Sequence, residues 1–176
     1  MVSLKTLLIN RIEPEGLCFD YQSSNILLLA CKGVPLDSPK ANANKADKYV
    51  YAYNLETKTL DTKPILTISD SHLEEYSHQI AAHTGKSKFN IGHKVTNFAP
   101  SGISPDPLTG DYYILSARES LLAIYDSNKK LKHLVALDKT TIPQPEGITF
   151  DEVGNLYLAT EGKNKSGKIF MYKRRI

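Results

Sequence analysis

Pro145-Glu146-Gly147-Ile148-Thr149-Phe150-Asp151, followed after a polar turn by Leu156-Tyr157-Leu158-Ala159-Thr160-Glu161-Gly162, is the stretch that decides the fold. Each half alternates apolar and polar residues in a short β-rich run, and Val153-Gly154-Asn155 between them is turn chemistry. The same passage occurs near the start of the chain as Pro14-Glu15-Gly16-Leu17-Cys18-Phe19-Asp20 and Leu27-Leu28-Leu29-Ala30-Cys31-Lys32-Gly33. A third copy reads Pro100-Ser101-Gly102-Ile103-Ser104 and Tyr112-Tyr113-Ile114-Leu115-Ser116-Ala117. Self-similarity of this kind marks a repeat architecture.

Working outward, each hairpin is followed by a third β-rich run: Tyr49–Tyr53, Leu121–Tyr125 and Ile169–Tyr172. A turn and a fourth run follow the first two, at Pro64–Ile68 and His133–Leu137. Four antiparallel strands per unit, with 45 residues between Gly102 and Gly147, describe a propeller blade. The third unit has three strands, and an opening run, Leu4–Ile9, stands where a fourth strand precedes a new unit. The expectation is an all-β chain over 1–176, a partial β-propeller of about three four-stranded antiparallel blades in permuted register. Residues 71–93 form a helix and loop insertion, with Ser71 capping the helix in a capping box with Glu74. Three blades do not close a ring. The chain is then part of a longer protein, one of two copies that complete each other, or an open arc.

The 176 residues are 41% hydrophobic and 23% charged, enough to build a core and too polar to span a bilayer with a helix. The first ten residues lack the apolar stretch and small-residue cleavage site of a signal peptide. The net charge of +3, from 22 basic and 19 acidic residues, is too small for a nucleic-acid partner. Lys168 and Lys173-Arg174-Arg175 read as a solvated chain end. If the first turn centres near Ser23, Cys18 opposes Leu28 and points away from Cys31's face, so two buried free thiols are expected rather than a disulfide. Tyr49, Tyr51 and Tyr53 share a strand face and suit packing between blades.

The innermost strand of each blade lines the channel, so Glu15, Ser101 and Glu146 recur around one channel mouth. Lys32, Ala117 and Glu161 lie close by, at the ends of the second strands. Carboxylates converging from several blades suit Ca²⁺, which takes oxygen ligands, and Glu15, Glu146 and Glu161 are the candidate metal ligands. The alternative is that each Glu caps backbone amides around its Gly turn. Gly16, Gly102 and Gly147 report a backbone demand. No cofactor other than Ca²⁺ and no catalytic residue is indicated: there is no nucleophile elbow, P-loop, dinucleotide fingerprint or His-Glu-x-x-His. The histidines at 72, 78 and 83 are not spaced for a shared helical face.

Ala99-Pro100-Ser101-Gly102-Ile103, Pro107–Ser116 and Ile142-Pro143-Gln144-Pro145-Glu146-Gly147-Ile148-Thr149-Phe150 resemble the bacterial SdiA-regulated, YjiK-like propeller family. The resemblance covers residues 11 to 173. It implies a propeller related to NHL repeats, a calcium site and no established activity. It also implies a periplasmic or cell-surface location for full-length members, and further blades ahead of this region. Three functions follow as expectations. One is a non-enzymatic binding module for a small ligand or protein. Another is a metal-dependent hydrolase akin to the six-bladed lactonase and phosphotriesterase propellers. The third is a structural unit that forms a homodimer through its blade edges, with Leu4–Ile9 pairing the edge of a second copy.

Overall fold

A computed structural model describes residues 11–37, 46–84, 95, 97–162 and 166–175, with residues 80–84 described as backbone. The Leu4–Ile9 strand and the second half of the 71–93 insertion lie outside the described residues. Within them the chain forms three antiparallel sheets and one helix, as the repeat requires. Blade 1 comprises β1 (Pro14–Phe19), β2 (Ile26–Cys31), β3 (Lys48–Asn54), β4 (Thr59–Leu60) and β5 (Leu66–Ile68). Blade 2 comprises β6 (Gly102–Pro105), β7 (Tyr112–Ser116), β8 (Leu121–Tyr125) and β9 (Leu131–Ala136). Blade 3 comprises β10 (Pro145–Phe150), β11 (Leu156–Thr160) and β12 (Lys168–Tyr172).

The first hairpin has the expected register, with Cys18 opposite Leu28, and both cysteines are free thiols. Burial pushes each of them up to about 12, Cys18 with a further contribution from Asp20. The fourth strand of blade 1 differs from the expected single run. It is split into β4 and β5, which pair with opposite ends of β3. Pro64 lies between the two and has no N–H to donate to a ladder.

The helix α1 runs Asp70–Thr84, beginning one residue before the expected cap. Ser69, not Ser71, takes the capping place: its carbonyl accepts the Leu73 N–H, while Asp47 Oδ1 accepts the Asp70 N–H at 3.1 Å. Leu73 is buried in the core between blades 1 and 2, and Tyr76 Oη donates to the Lys132 carbonyl at 2.6 Å, fixing the helix against β9.

Strand alternation gives each blade two faces, and both inter-blade cores follow from it. Leu28, Ala30 and Val50 of blade 1 meet Ile103, Tyr112, Ile114 and Ala123 of blade 2. Leu115, Leu122 and Ile124 on the other face of blade 2 meet Ile148, Leu156, Leu158 and Phe170 of blade 3. The tyrosine stripe of β3 does not pack between blades. Tyr49 and Tyr51 are buried with Ile12, Leu29 and Cys31 on the face of blade 1 that has no blade beside it, with Leu36 against them. Tyr51 Oη accepts the Leu36 N–H at 3.0 Å.

Candidate functional site

The inner strands β1, β6 and β10 lie side by side, and the recurring glycines explain how. A Cβ on Gly16 would stand 3.0 Å from the backbone of Gly102, and one on Gly102 would stand 2.8 Å from the Glu146 carbonyl. No side chain fits there, so neighbouring inner strands approach as closely as backbones allow. Glu15, Ser101 and Glu146 each precede one of these glycines and sit at the same end of adjacent strands.

The local build is the same in blades 1 and 3. The register slips between Pro14 and Gly16, and again between Pro145 and Gly147, so Glu15 and Glu146 are bulged residues. Immediately before each Pro stands a non-glycine residue with left-handed backbone, Glu13 at φ 45° and Gln144 at φ 44°. Their carbonyls accept the Lys32 and Glu161 N–H groups, each at 3.1 Å. Blade 2 achieves the same closure with a side chain. Ser101 Oγ accepts the Ala117 N–H and donates to the Pro145 carbonyl, both at 3.0 Å, tying blade 2 to blade 3.

Bulges re-aim side chains, and the aim here is outward. Glu15, Glu146 and Glu161 are all exposed. Glu15 forms an ion pair with Lys32 at 2.5 Å. No backbone amide among the described residues donates to any of the three carboxylates. No group of three or more His, Cys, Asp or Glu side chains among the described residues is placed to hold a metal ion. Pro14, Glu15, Gly16, Leu17, Leu27, Leu29 and Tyr53 line a groove of about 330 Å³ beside the mouth.

At the opposite end of the inner strands the structure shows a second recurring residue that the sequence reading missed. Asp20, Asp106 and Asp151 each accept the N–H two residues on, from Gln22, Leu108 and Val153. All three hairpins therefore begin with the same side-chain turn. In blade 2 this aspartate is buried, 3% exposed, and Arg174 Nη1 reaches it at 2.8 Å from beyond β12. Burial works against the charge of Asp106, but Arg174 and the Leu108 N–H outweigh it and hold the carboxyl below its ordinary value. Arg174 is thus a tie between blades 2 and 3, not part of a solvated tail. Asp111, also buried, is paired with Lys132 at 2.7 Å. The signal available in sequence was the aspartate recurring at one place in all three copies.

The SdiA-regulated family model matches residues 58–164, well over half of the chain. The chain belongs to the SdiA-regulated family. Solved structures agree on the fold. A chain of a nidogen–laminin complex is 16% identical, with TM-score 0.53 over 96% of this chain and 49% of that one. A luciferin-regenerating enzyme is 12% identical, with TM-score 0.52 over 90% of this chain and 44% of that one. At these identities the likeness is one of β-propeller architecture, and this SdiA-regulated chain spans about half the length of the structures it matches. The comparison with curated proteins finds no match. No helix among the described residues is long and apolar enough to cross a membrane.

Proposed function

We propose that this chain is a non-enzymatic binding module whose contact surface is the channel mouth carrying Glu15, Lys32, Ser101, Glu146 and Glu161. The observation that carries this reading is the duplicated build. In blades 1 and 3 a left-handed non-glycine residue, a conformation costing about 1–3 kcal/mol, is followed by a bulge that turns a carboxylate into solvent. In blade 3 the strained Gln144 gains one backbone hydrogen bond, from the Glu161 N–H, and the Glu146 carboxylate has no ion pair or hydrogen bond among the described residues. At Glu15 the return is an exposed ion pair worth about 0–1 kcal/mol. Carboxylates turned outward twice by the same build, with little intramolecular use of their own, suit a surface that meets an outside ligand.

The reading extends to calcium as an occupant. The three carboxylates supply hard oxygen donors, and Lys32 must leave Glu15 for an ion to take its place. As the side chains stand, the mouth does not fit a calcium cage, and no part of the proposal beyond this depends on the ion. The double variant Glu15→Gln/Glu146→Gln separates a binding role from a structural one. Its stability without ligand should stay within about 0.5 kcal/mol of the parent in denaturant melts. Binding of Ca²⁺ at these carboxylates, once Lys32 has left Glu15, would raise the melting temperature of the parent and not of the variant at millimolar ion. A clear loss of stability in the variant would make these carboxylates structural and overturn the proposal. An unchanged parent melting temperature would remove calcium from it.

A further inference from the structure

Laying the three blades over one another shows what the two outer faces lack. The residue after each inner-strand glycine is Leu17, Ile103 or Ile148. Ile103 is 1% exposed against blade 1. Ile148 packs against blade 2, with Cγ2 3.1 Å from where a Gly102 Cβ would be. Leu17, in the same place on blade 1, is 61% exposed. Phe19 corresponds to Phe150, which sits edge-on to Tyr113 of blade 2 at 4.8 Å, yet Phe19 is exposed. Blade 3 shows the converse. Its open face carries Gly147, Tyr157, Ile169 and Met171 where blade 2 carries Gly102, Tyr113, Leu122 and Ile124. Leu122 is 5% exposed and Ile169 is 77% exposed.

The open face of blade 3 therefore repeats the face of blade 2 that receives a blade. On blade 1 the inner part of the open face, at Leu17 and Phe19, repeats the face of blade 3 that docks, while Leu29 and Tyr51 further out are covered by Ile12 and Leu36 of the same chain. Even the specific pairs recur, with Gly147 standing ready for Leu17 and Tyr157 for Phe19. We propose that two copies of this chain close one ring, blade 3 of each packing on blade 1 of the other. The contact is head-to-tail and closes after two copies, continuing the two inter-blade cores already present. Two copies supply six blades, within the roughly four to eight that propeller rings ordinarily have. Closure also completes the channel, because the second copy brings its own Glu15, Ser101 and Glu146 to the circuit. The inference does not depend on what the mouth binds.

Sedimentation velocity on the full chain over a micromolar concentration series tests this. The expected species is a dimer. Leu17→Lys and Ile169→Lys alter opposite ends of the docking pair at solvent-exposed positions. Each should raise the dimer dissociation constant roughly tenfold or more, with circular dichroism unchanged. A parent chain that is monomeric throughout overturns the proposal and assigns the open faces to other blades. A dimer that survives Ile169→Lys but not Leu17→Lys also overturns it, because like faces would then be meeting. A dimer indifferent to both variants but lost on deleting residues 1–10 would indicate exchange of the Leu4–Ile9 strand instead.

Discussion

Strands β8 and β12 occupy the same place in consecutive blades and have opposite fates. All five residues of Leu121–Tyr125 are buried, whereas in Lys168–Tyr172 only Phe170 is even partly so. Their sequences, LLAIY and KIFMY, are both β-rich and largely apolar. The difference comes from what lies alongside. β8 has β7 and β9 as sheet neighbours and a blade on each face. β12 pairs only with β11 among the described strands, and only its Phe170 face meets blade 2. In a repeat protein each unit is stabilised mainly by its neighbours, so equivalent residues contribute very unequally.

Matched truncations should expose that inequality most strongly. Leu122→Ala removes a buried side chain from the core between blades 2 and 3 and should cost about 2–4 kcal/mol in denaturant unfolding. Ile169→Ala, at the equivalent position of blade 3, should cost under about 0.5 kcal/mol in dilute, monomeric protein. Similar losses at the two sites would break the comparison.

A smaller effect sharpens it at the hairpin turns, where Asp20 and Asp106 are equivalent but only Asp106 is buried and tied to another blade. Asp106→Ala strands the Leu108 N–H and the Arg174 contact and should cost about 1–3 kcal/mol at neutral pH. The sign of the pH dependence is fixed by the lowered carboxyl. A group held below its unfolded pKa stabilises above that value, about 4 for aspartate, and its contribution is lost as pH falls through the folded value. Acid titration of stability should therefore be shallower in Asp106→Ala than in the parent. Identical acid limbs would show that Arg174 does not sustain the charge.

The parts legible in the sequence were those written in local pattern and repetition. Apolar alternation and recurring Pro-Glu-Gly placed the blades, and turn chemistry near Ser23 placed Cys18 opposite Leu28. The same alignment placed Glu15, Ser101 and Glu146 at one end of neighbouring strands. What the sequence did not disclose depends on long-range or conformational facts. That Arg174 reaches across to Asp106 needs the blade arrangement in three dimensions. Left-handed backbone at Glu13 and Gln144 is set by the turn and bulge around them, not by residue type. Alternation along β3 suggests tyrosines packed between blades, because it reports a buried face without saying what buries it. Here segments 11–12 and 34–36 cover part of a face that has no blade beside it.

The central claim is that copies of one repeat stand as adjacent blades with their inner strands in backbone contact. A nuclear Overhauser measurement between the α-protons of Gly16 and Gly102 tests it most directly. The two residues are distant in sequence, yet the Cβ position of Gly16 is 3.0 Å from Gly102 Cα. The account predicts a strong cross-peak between them. Its absence, with both α-proton resonances assigned, would contradict the account.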